Sequence, residues 1–444
     1  MISPFYGDES RIVALATPVA ESALALIRCS GAGTLEAFSG SFSRHVNNIA
    51  ANRIVHGWIL NQGEKIDEVL VSIFHAPHSY TGEDSVEIAC HGGRAVVNAV
   101  LHTLRNAGFR DALPGEFSFR AFVNGKMDLT RAESVMELVS AQSDQARIRA
   151  VQRLSGYLEQ DIKSIRDSLV SILAAIEITL DYPEEDLDDV SAVPDQIAIE
   201  YALSRLEQLA ESYHRERLYQ NGFLVVIAGC PNAGKSSLFN RLIHEERSIV
   251  SEVPGTTRDW IEAYITVESV PIRLVDTAGL HIPTDSVEKM GIERSWNLLS
   301  RADAVVYVID GTQGVTPEDQ DFLSAQKPVL PVWNKVDQAP VTDSSFFPVS
   351  ARTGYGIQEL CQSLAGKLDG AHPLDDHVGI ATERQKILVD RACENLRASQ
   401  NPHQTLDLIA PLIRDAIDAL GEITGEVTTA EILETMFSRF CVGK

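Results

Sequence analysis

The chain has 444 residues, which is too long for a single hydrophobic core and predicts roughly two to four domains. Its formal net charge of −24, from 38 basic and 62 acidic side chains, excludes nucleic-acid binding through a general basic surface, so any contact with RNA must be local or shared with a partner. Six scattered cysteines without CxxC spacing argue against a zinc site or a disulfide framework and suit a reducing compartment.

The sequence predicts no membrane segment. The N-terminus lacks the basic stretch followed by an apolar run that is typical of a signal peptide. The most apolar helical stretch, Leu169–Leu180, contains Glu177 and, at about a dozen residues, is too short to span a bilayer. We therefore expect a cytoplasmic protein without membrane contact.

The N-terminal half contains two regions of different composition. Residues 1–122 mix short apolar runs with glycine and proline, which predicts a small α+β domain. From residue 123 to about 221, Leu, Ile and Ala recur every three or four residues among polar side chains, which predicts amphipathic helices. The acidic segment Asp181–Asp189 is expected to be a surface loop between two of them. The strand candidates of the first region are Ile12–Ala16, Ala23–Ile27, Val69–Phe74 and Val86–Ala89.

From Phe223 onward, apolar strands alternate with helical stretches, which predicts a parallel α/β sheet. Helical periodicity returns after about residue 377 and continues to the end. A helical region on either side of an α/β unit indicates one helical domain, formed by residues 123–221 and 378–444, with residues 222–377 inserted into it. The strand candidates are Phe223–Ala228, Ile272–Val275, Ala304–Ile309, Val329–Trp333 and Phe346–Val349.

A phosphate-binding loop follows the first of these strands. Residues 229–236 read Gly-Cys-Pro-Asn-Ala-Gly-Lys-Ser and match the pattern GxxxxGK[ST]. The glycines let backbone N–H groups face phosphates, Lys235 neutralises the β- and γ-phosphates and so takes part in catalysis, and Ser236 supplies an oxygen ligand for Mg²⁺. For this motif alone, a chance turn after a buried strand is the alternative. The predicted phosphate-binding residues are Asn232, Ala233, Gly234, Lys235, Ser236 and Ser237.

Three further polar loops follow apolar strands, and together with the first they predict a GTPase. In the first, Asp276 is placed to act on Mg²⁺ through water, and Gly279 offers its N–H to the γ-phosphate. In the second, the carboxylate of Asp337 can accept hydrogen bonds from N1–H and the amine of guanine, a donor pair that adenine lacks. In the third, a backbone N–H reaches guanine O6. These loops are Asp276-Thr277-Ala278-Gly279, Asn334-Lys335-Val336-Asp337 and Ser350-Ala351-Arg352.

The segment Gly255–Asp259, which reads Gly-Thr-Thr-Arg-Asp, predicts a mobile loop that closes over the γ-phosphate and is released after hydrolysis. We expect the hydroxyl of Thr257 to bind Mg²⁺. Many GTPases position the attacking water with a glutamine directly after the DxxG glycine, but that position here is Leu280. Another group must therefore position the water, or hydrolysis is slow. Hydrolysis also needs a positive charge like that of an arginine finger. Arg258 is a candidate for it, and the alternative is that Arg258 forms a surface or switch-loop salt bridge.

Several motifs outside the nucleotide loops carry a resemblance. They are Tyr80-Thr-Gly-Glu-Asp, His91-Gly-Gly, the sixteen residues Pro114–Leu129, the Gly-Ile-Glu-Arg of residues 291–294 and the terminal Cys441-Val-Gly-Lys. With the four nucleotide loops and the Gly-Thr-Thr-Arg-Asp segment, they make the whole chain resemble the MnmE (TrmE) family of tRNA-modification GTPases. The resemblance implies a multidomain fold: an α+β N-terminal folate-binding domain, an all-α helical domain, and an inserted α/β Ras-like P-loop GTPase domain.

The resemblance also implies a potassium ion in place of an arginine finger, with ligands at Asn232, Ser251, Thr256 and the carbonyl of Val253. A monovalent cation between the α- and γ-phosphates would neutralise the charge that develops during hydrolysis. Ser251 stands where the family usually has threonine, and the hydroxyl is retained. The catalytic glutamate of the family corresponds to Glu288, acting through a bridging water, although by sequence alone Glu288 is one exposed carboxylate before a helix.

For residues 1–122 the resemblance implies dimerisation and the binding of 5,10-methylene- or 5-formyl-tetrahydrofolate. A carboxylate at Glu87 suits the N–H donors of a pterin, and cations suit the carboxylates of folate. The alternatives are an ordinary strand-end cation for Arg28 and a solvent-facing position for Glu87, which alternates with apolar neighbours. The folate-binding positions that match the family are Arg28, Glu87, Lys126 and Lys444.

The function implied by the resemblance is GTP-dependent tRNA modification. A homodimer would join a flavoprotein of the MnmG (GidA) type, which carries FAD, in a heterotetramer that binds tRNA. Together they would add a carboxymethylaminomethyl or aminomethyl group to C5 of the wobble uridine. Cys441 would lie near the one-carbon group, the alternative being a partly buried small apolar residue.

Two other functions stay open at this point. A regulatory or ribosome-assembly GTPase commonly carries a basic RNA-binding domain, but residues 378–444 have more acidic than basic side chains. A folate-binding scaffold with a vestigial GTPase is the other possibility. The intact Lys235, Ser236, Asp276 and Asp337 argue against it.

Overall fold

The computed structural model describes residues 10–181, 195–245, 261–276, 298–324, 329–341, 343–371 and 378–443. The chain divides into two compact units. The first comprises residues 1–136, 161–170 and 414–444, and the second comprises residues 137–160 and 171–413. The predicted domain boundaries near residues 122, 221 and 377 remain predictions. Within the described ranges, the helices are too short or too polar to cross a membrane.

A six-stranded sheet forms the centre of the first unit, with strands in the order β3-β4-β5-β2-β1-β6. Neighbouring strands are antiparallel, except that β1 and β6 run parallel. Valine and isoleucine alternate with exposed residues along β4, as expected for a strand with one buried face. The strands are β1 (Ile12–Leu15), β2 (Ala25–Ser30), β3 (Arg53–Asn61), β4 (Glu64–Phe74), β5 (Ser85–Cys90) and β6 (Arg110–Asp111).

The four strands predicted for this region are present, and β3 and β6 are additional. Strand β3 escaped prediction because His56 and Gly57 interrupt its apolar pattern. The glycine has a packing reason: a Cβ at Gly57 would lie 2.5 Å from the ring of Phe42. Three helices accompany this sheet, α1 (Thr34–Ser39), α2 (Arg94–Asn106) and α3 (Glu116–Val123).

Helices account for much of the rest of the chain, as the sequence predicts. The predicted acidic loop begins at Asp181, which ends one of these helices, and residues 182–189 lie outside the described residues. The helices are α4 (Leu129–Ser140), α5 (Asp144–Leu154), α6 (Tyr157–Asp181), α7 (Gln196–Asn221), α8 (Lys235–Glu245), α9 (Pro317–Ser324), α10 (Ile357–Ala371), α11 (Glu383–Ser399), α12 (Leu406–Thr424) and α13 (Ala430–Phe437).

In the first unit, the C-terminal segment packs against the N-terminal region. Phe437 of α13 contacts Phe119 of α3 edge to face, with ring centroids 5.5 Å apart. The two segments approach so closely that a Cβ at Gly115, whose φ is +69°, would lie 2.4 Å from the carbonyl oxygen of Phe437. This contact brings residues 441–443 to the N-terminal sheet.

The second unit contains a six-stranded sheet of order β12-β11-β10-β7-β9-β8. All its neighbouring pairs are parallel except β8 and β9. Along β7, Val225 and Ile227 belong to one buried cluster and Val226 and Ala228 to another, so the sheet is covered on both faces. The strands are β7 (Phe223–Ala228), β8 (Ile261–Val267), β9 (Val270–Asp276), β10 (Ala304–Asp310), β11 (Val329–Asn334) and β12 (Phe347–Pro348).

The predicted strands pair in parallel, and a strand that was not predicted, β8, adds an antiparallel pair at one edge. Strands β8 and β9 are joined by Glu268 and Ser269 alone, with φ values of +50° and +72°. A connection of two residues with positive φ produces an antiparallel hairpin, because a parallel crossover needs a much longer connection. The α/β character of the region is confirmed.

Helix α7 leads from the helical region into the sheet. Tyr219, near its end, belongs to the buried cluster on one face of the sheet and packs edge to face on Phe223, with ring centroids 5.3 Å apart. Its hydroxyl donates a hydrogen bond to Asp369 of α10. The start of β7 is therefore fixed to α7, and β7 ends where the phosphate-binding loop begins.

A buried ionic network holds together the helices of the second unit. Arg153, with 2% of its side chain exposed, donates to Glu137 at 2.6 Å and to Glu216 at 2.9 Å. Glu216 accepts a hydrogen bond from the backbone N–H of Gly379 at 3.2 Å. Burial by itself lowers the pKa of Arg153, but the charges of Glu137 and Glu216 outweigh that effect and raise it. The network thus joins Glu137 of α4 with α5, α7 and the segment before α11.

We expect Arg153→Met to destabilise the protein by about 3–5 kcal/mol, because Glu137 and Glu216 both lose the buried guanidinium that binds them, although Arg149 stays 3.8 Å from Glu216. Urea denaturation followed by circular dichroism measures the change. Arg397→Met is the matched control, since Arg397 pairs with Glu207 on an exposed surface and its loss should leave stability nearly unchanged. Equal stability of the two variants would contradict a structural role for the network.

Candidate functional site

The phosphate-binding loop has the backbone that its glycines predict. Gly229 and Gly234 have φ values of +141° and +97°. A Cβ at Gly229 would lie 2.2 Å from the carbonyl oxygen of Val308, and one at Gly234 would lie 2.2 Å from Nδ2 of Asn334. Asn232 also has a positive φ, of +63°. The loop ends where α8 begins, so the N-terminal N–H groups of an 11-residue helix face it.

The ammonium of Lys235 lies over this loop. Nζ donates to the carbonyl oxygens of Gly229 and Cys230, both at 2.9 Å. Burial lowers the pKa of Lys235, and the charge of Asp276 opposes that effect. Asp276 is the last residue of β9 and is 1% exposed. Because Ile227 of β7 pairs with Asp276, the sheet register brings this carboxylate beside the loop, as the sequence predicts.

The side-chain amide of Asn334 joins two of the predicted loops. Its Nδ2 donates to the carbonyl oxygen of Ala233 at 2.8 Å, and its Oδ1 accepts from the backbone N–H of Ala351 at 3.1 Å. Next to it, Lys335 has a φ of +67°. Its Nζ donates to the carbonyl oxygen of Asn232 at 3.0 Å and to Asp310 at 2.6 Å. The end of β11 therefore ties the phosphate-binding loop to residues 350–352.

Asp337 is exposed and accepts a hydrogen bond from the hydroxyl of Ser350 at 2.6 Å. This bond is the largest cause that lowers the pKa of Asp337 below its usual value. The bond favours the ionised carboxylate, which has only acceptor sites and can accept from two N–H groups at once. Ser350 and Ala351 are buried and Arg352 is exposed.

A cluster beside the phosphate-binding loop was not predicted. Asp319 of α9, only 2% exposed, accepts hydrogen bonds from Tyr307 at 2.9 Å, the thiol of Cys230 at 3.3 Å and the N–H of Thr316 at 2.8 Å. Burial alone would raise the pKa of Asp319, but hydrogen bonds from Thr316, Cys230 and Tyr307 outweigh it and lower the pKa. The sequence signal was the helix-capping pattern Thr-Pro-Glu-Asp of residues 316–319.

Several predicted residues lie outside the described residues. They include the predicted Mg²⁺ and K⁺ ligands of residues 251–257, the γ-phosphate loop after Asp276 and the proposed catalytic glutamate. These residues are Ser251, Val253, Thr256, Thr257, Arg258, Thr277, Ala278, Gly279, Leu280, Glu288 and Lys444.

In the first unit, Arg28 and Glu87 face each other across β2 and β5. Nε of Arg28 donates to Oε1 of Glu87 at 2.7 Å, and the side chains are 20% and 26% exposed. Both line a cavity of about 90 Å³, together with Tyr80, Thr81 and Phe117. Arg28 therefore lies within a strand, and Glu87 is half-buried rather than solvent-facing.

Two other chain segments approach this cavity. The guanidinium of Arg28 lies 5.6 Å from the ring centroid of Tyr80, and its Nη1 donates to the carbonyl oxygen of Gly443 at 3.3 Å. Lys126 is exposed, does not line the cavity, and donates from Nζ to the carbonyl oxygen of Pro77 at 2.9 Å. Cys441 is exposed rather than partly buried. The structure thus brings together Arg28, Glu87 and the C-terminal tail.

Comparison with known proteins gives matches along the chain. Residues 129–441 match the family model of the MnmE helical domain, and residues 11–126 match that of the GTP-binding protein TrmE N-terminus. The tRNA modification GTPase MnmE of Aquifex aeolicus is 39% identical over 448 residues, which cover 98% of this chain and 99% of the relative. The protein of the same name from Treponema denticola is 38% identical over 462 residues, covering 98% of each chain. Another, from Carboxydothermus hydrogenoformans, is 37% identical and covers 98% of this chain and 100% of the relative.

We expect Asn334→Ala to weaken GDP binding by about 30-fold or more. The change removes the buried partner of the carbonyl of Ala233 and of the N–H of Ala351. Each unsatisfied group costs about 1–3 kcal/mol of free energy. Isothermal titration calorimetry measures the affinity. His244→Ala, at an exposed position of α8, is the control and should bind GDP like the unaltered chain. Unchanged affinity in Asn334→Ala would show that the bridge does not support the site.

Proposed function

The chain belongs to the family of tRNA modification GTPases MnmE, and from this membership we propose that it modifies the wobble uridine of certain tRNAs with a flavin-dependent partner of the MnmG type. The product would carry a carboxymethylaminomethyl or aminomethyl group on C5. The observation that supports this most strongly is the presence, in one chain, of a P-loop nucleotide site and of the half-buried Arg28–Glu87 pair in a separate cavity. GTP hydrolysis would order the conformational cycle that the modification requires.

In the nucleotide site, Asp337 would accept from N1–H and the amine of guanine, and a backbone N–H of the loop at Ser350 and Ala351 would donate to O6. Lys235 would exchange its bonds to backbone carbonyls for bonds to the β- and γ-phosphates. The hydrogen bond from Ser350 supports this role, because it holds the carboxylate of Asp337 in the loop that would face the base.

A magnesium site fits the residues beside the loop. Ser236 contributes a hydroxyl at the start of α8, and Asp276 contributes a buried carboxylate close enough to Lys235 to act on its pKa. Hydroxyl, carboxylate and water oxygens are the donors that Mg²⁺ prefers. Ser236, Thr257 and, through water, Asp276 would hold the ion, which would supply positive charge to the phosphates.

Hydrolysis also needs a charge that replaces an arginine finger, which contributes roughly 10³–10⁵ in rate. We assign this role to a potassium ion held by Asn232, Ser251, Thr256 and the carbonyl of Val253. Of these four residues, Asn232 lies in the described part of the chain, and the hydrogen bond from Lys335 to its carbonyl oxygen holds its backbone in place. Glu288 would position the attacking water through a second water molecule.

The N-terminal cavity would bind the one-carbon donor, 5,10-methylene- or 5-formyl-tetrahydrofolate. Glu87 would accept from the N–H groups of the pterin while Arg28 keeps its carboxylate in place. Lys126 and Lys444 would bind the carboxylates of the folate tail, and Cys441 would lie near the one-carbon group. Residues 1–122 would hold a homodimer in the cytoplasm, and the MnmG-type partner would contribute FAD and much of the tRNA contact.

We expect tRNA from cells that carry Lys235→Ala, or that lack the gene, to lose a 5-substituted wobble uridine. Without Lys235 the phosphates lose their cation, so the GTP-dependent step stops. Mass spectrometry of tRNA nucleosides measures the loss. Lys367→Ala, at an exposed position of α10, is the control and should leave the nucleoside present. An unchanged nucleoside profile in the deletion strain would overturn the proposed function.

We expect Glu87→Gln to weaken 5-formyl-tetrahydrofolate binding by about 10- to 100-fold, because it removes a charge-assisted acceptor worth about 1.5–3 kcal/mol. Affinity for GDP should not change. Glu68→Gln is the matched control, since Glu68 lies on the same sheet but is exposed and pairs with His56. Equal folate affinities in the two variants would exclude Glu87 from the folate site.

A further inference from the structure

Asp310 ends β10 at the same edge of the sheet as the nucleotide loops, and none of the predicted motifs contains it. It pairs in register with Asn334 of β11 and is 8% exposed. One carboxylate oxygen, Oδ1, accepts from the N–H of Thr312 at 3.0 Å and from its hydroxyl at 2.6 Å. The other, Oδ2, accepts from the ammonium of Lys335 at 2.6 Å. The turn after β10 therefore fixes the carboxylate, and the carboxylate fixes the ammonium.

The same ammonium contacts the phosphate-binding loop. Nζ of Lys335 donates to the carbonyl oxygen of Asn232 at 3.0 Å. A lysine ammonium is a strongly hydrated charge on a flexible stem, so a single hydrogen bond to a carbonyl does not hold it in place. The side chain of Lys335 is 28% exposed, and water competes for that bond. The carboxylate of Asp310 supplies a second, charge-assisted bond and keeps the ammonium between the sheet and the loop.

The carbonyl of Asn232 belongs to a tight turn within the phosphate-binding loop. Pro231 and Asn232 are the central residues of this turn, and the N–H of Ala233 donates to the carbonyl oxygen of Cys230 at 3.3 Å. A proline followed by a residue with positive φ is typical of a type II turn, and Asn232 has a φ of +63°. Side chains with a Cβ disfavour that backbone conformation, so the turn gains from support outside it.

Lys335 supplies this support at one peptide group. The C=O of Asn232 and the N–H of Ala233 lie in the same peptide plane and point in opposite directions. Lys335 binds this plane from one side, and the carbonyl of Cys230 binds it from the other. The carbonyl of Cys230 also accepts from Nζ of Lys235 at 2.9 Å. The contact made by Lys335 therefore stabilises the turn to which the phosphate-binding lysine is bonded.

We propose that Asp310 is a positioning residue for phosphate binding. Its carboxylate holds the ammonium of Lys335 against the carbonyl of Asn232, and so keeps the turn of residues 230–233 in the shape that receives the β-phosphate of a guanine nucleotide. Asp310 acts through Lys335 and does not itself contact the nucleotide. The inference rests on the proposed binding of the β-phosphate by the phosphate-binding loop.

A purely structural role would give different results from a positioning role. If Asp310 only stabilised the sheet, its loss would lower the melting temperature and weaken the binding of GMP and GDP by the same factor. If it positions the phosphate-binding loop, its loss should weaken the binding of GDP and leave that of GMP, which lacks the β-phosphate, nearly unchanged. If it acts through Lys335, its loss should cause no further weakening once Lys335 is replaced.

The experiment measures the affinities of GMP and GDP for the full chain by competition with a ribose-labelled fluorescent GDP. The variants are Asp310→Asn, Asp310→Glu, Lys335→Met and the double variant that combines Asp310→Asn with Lys335→Met. Asp321→Asn, which removes an exposed carboxylate from α9, is the matched control. Asp310→Glu keeps the charge but lengthens the side chain, so it provides a readout even if Asp310→Asn folds poorly.

For Asp310→Asn we expect GDP affinity to fall about tenfold and GMP affinity to change less than twofold. Asp310→Glu should lie between that variant and the unaltered chain, and Asp321→Asn should match the unaltered chain. In the Lys335→Met background, Asp310→Asn should not lower GDP affinity further. An equal loss for GMP and GDP, an unchanged GDP affinity in Asp310→Asn, or a further tenfold loss in the double variant would overturn the proposal. If the unaltered chain binds GMP as tightly as GDP, the assignment of the phosphate-binding loop fails instead.

Discussion

The bridge made by the side chain of Asn334 is the interaction on which the nucleotide site depends. One amide binds the carbonyl of Ala233 and the N–H of Ala351. The distance between two loops from distant parts of the sequence is therefore fixed. Its burial at 2% exposure makes the two bonds costly to replace by water. Lys335 and Asp310 reinforce the same arrangement from neighbouring strands. The site is therefore held by backbone carbonyls as much as by the side chains of its motifs.

Much of the fold and of the nucleotide site was predictable, because buried parallel strands and glycine loops have strong local signals. A Cβ at Gly229 or Gly234 would collide with a residue of a neighbouring strand. The glycines of the motif therefore indicate the backbone conformation of the loop. Strand β8 was missed, since its pairing depends on a two-residue turn with positive φ at Glu268 and Ser269, neither of which is glycine or asparagine. The alternation of side chains along one strand does not reveal such a turn.

Local sequence patterns did not predict the long-range side-chain contacts. The pairing of Arg28 with Glu87 joins residues 59 positions apart, and strand alternation by itself suggested a solvent-facing carboxylate. The Arg153 network likewise joins residues from three helical segments. Family resemblance indicated Arg28 and Glu87 as folate-site residues, but their pairing was not predicted. It did not indicate the contacts of Asp319 and Asp310, which appear only when the sheet and helices are assembled.

The hydrogen bond between Arg28 and Gly443 has a consequence for the order of synthesis. Its partners are 415 positions apart, so at about 5–20 residues per second a ribosome needs roughly 20–80 s between them. The N-terminal sheet can form early in that interval, whereas the tail that approaches its cavity does not yet exist. During translation Arg28 therefore lacks its contact with the tail, and the nascent domain can meet small molecules or chaperones before that contact forms.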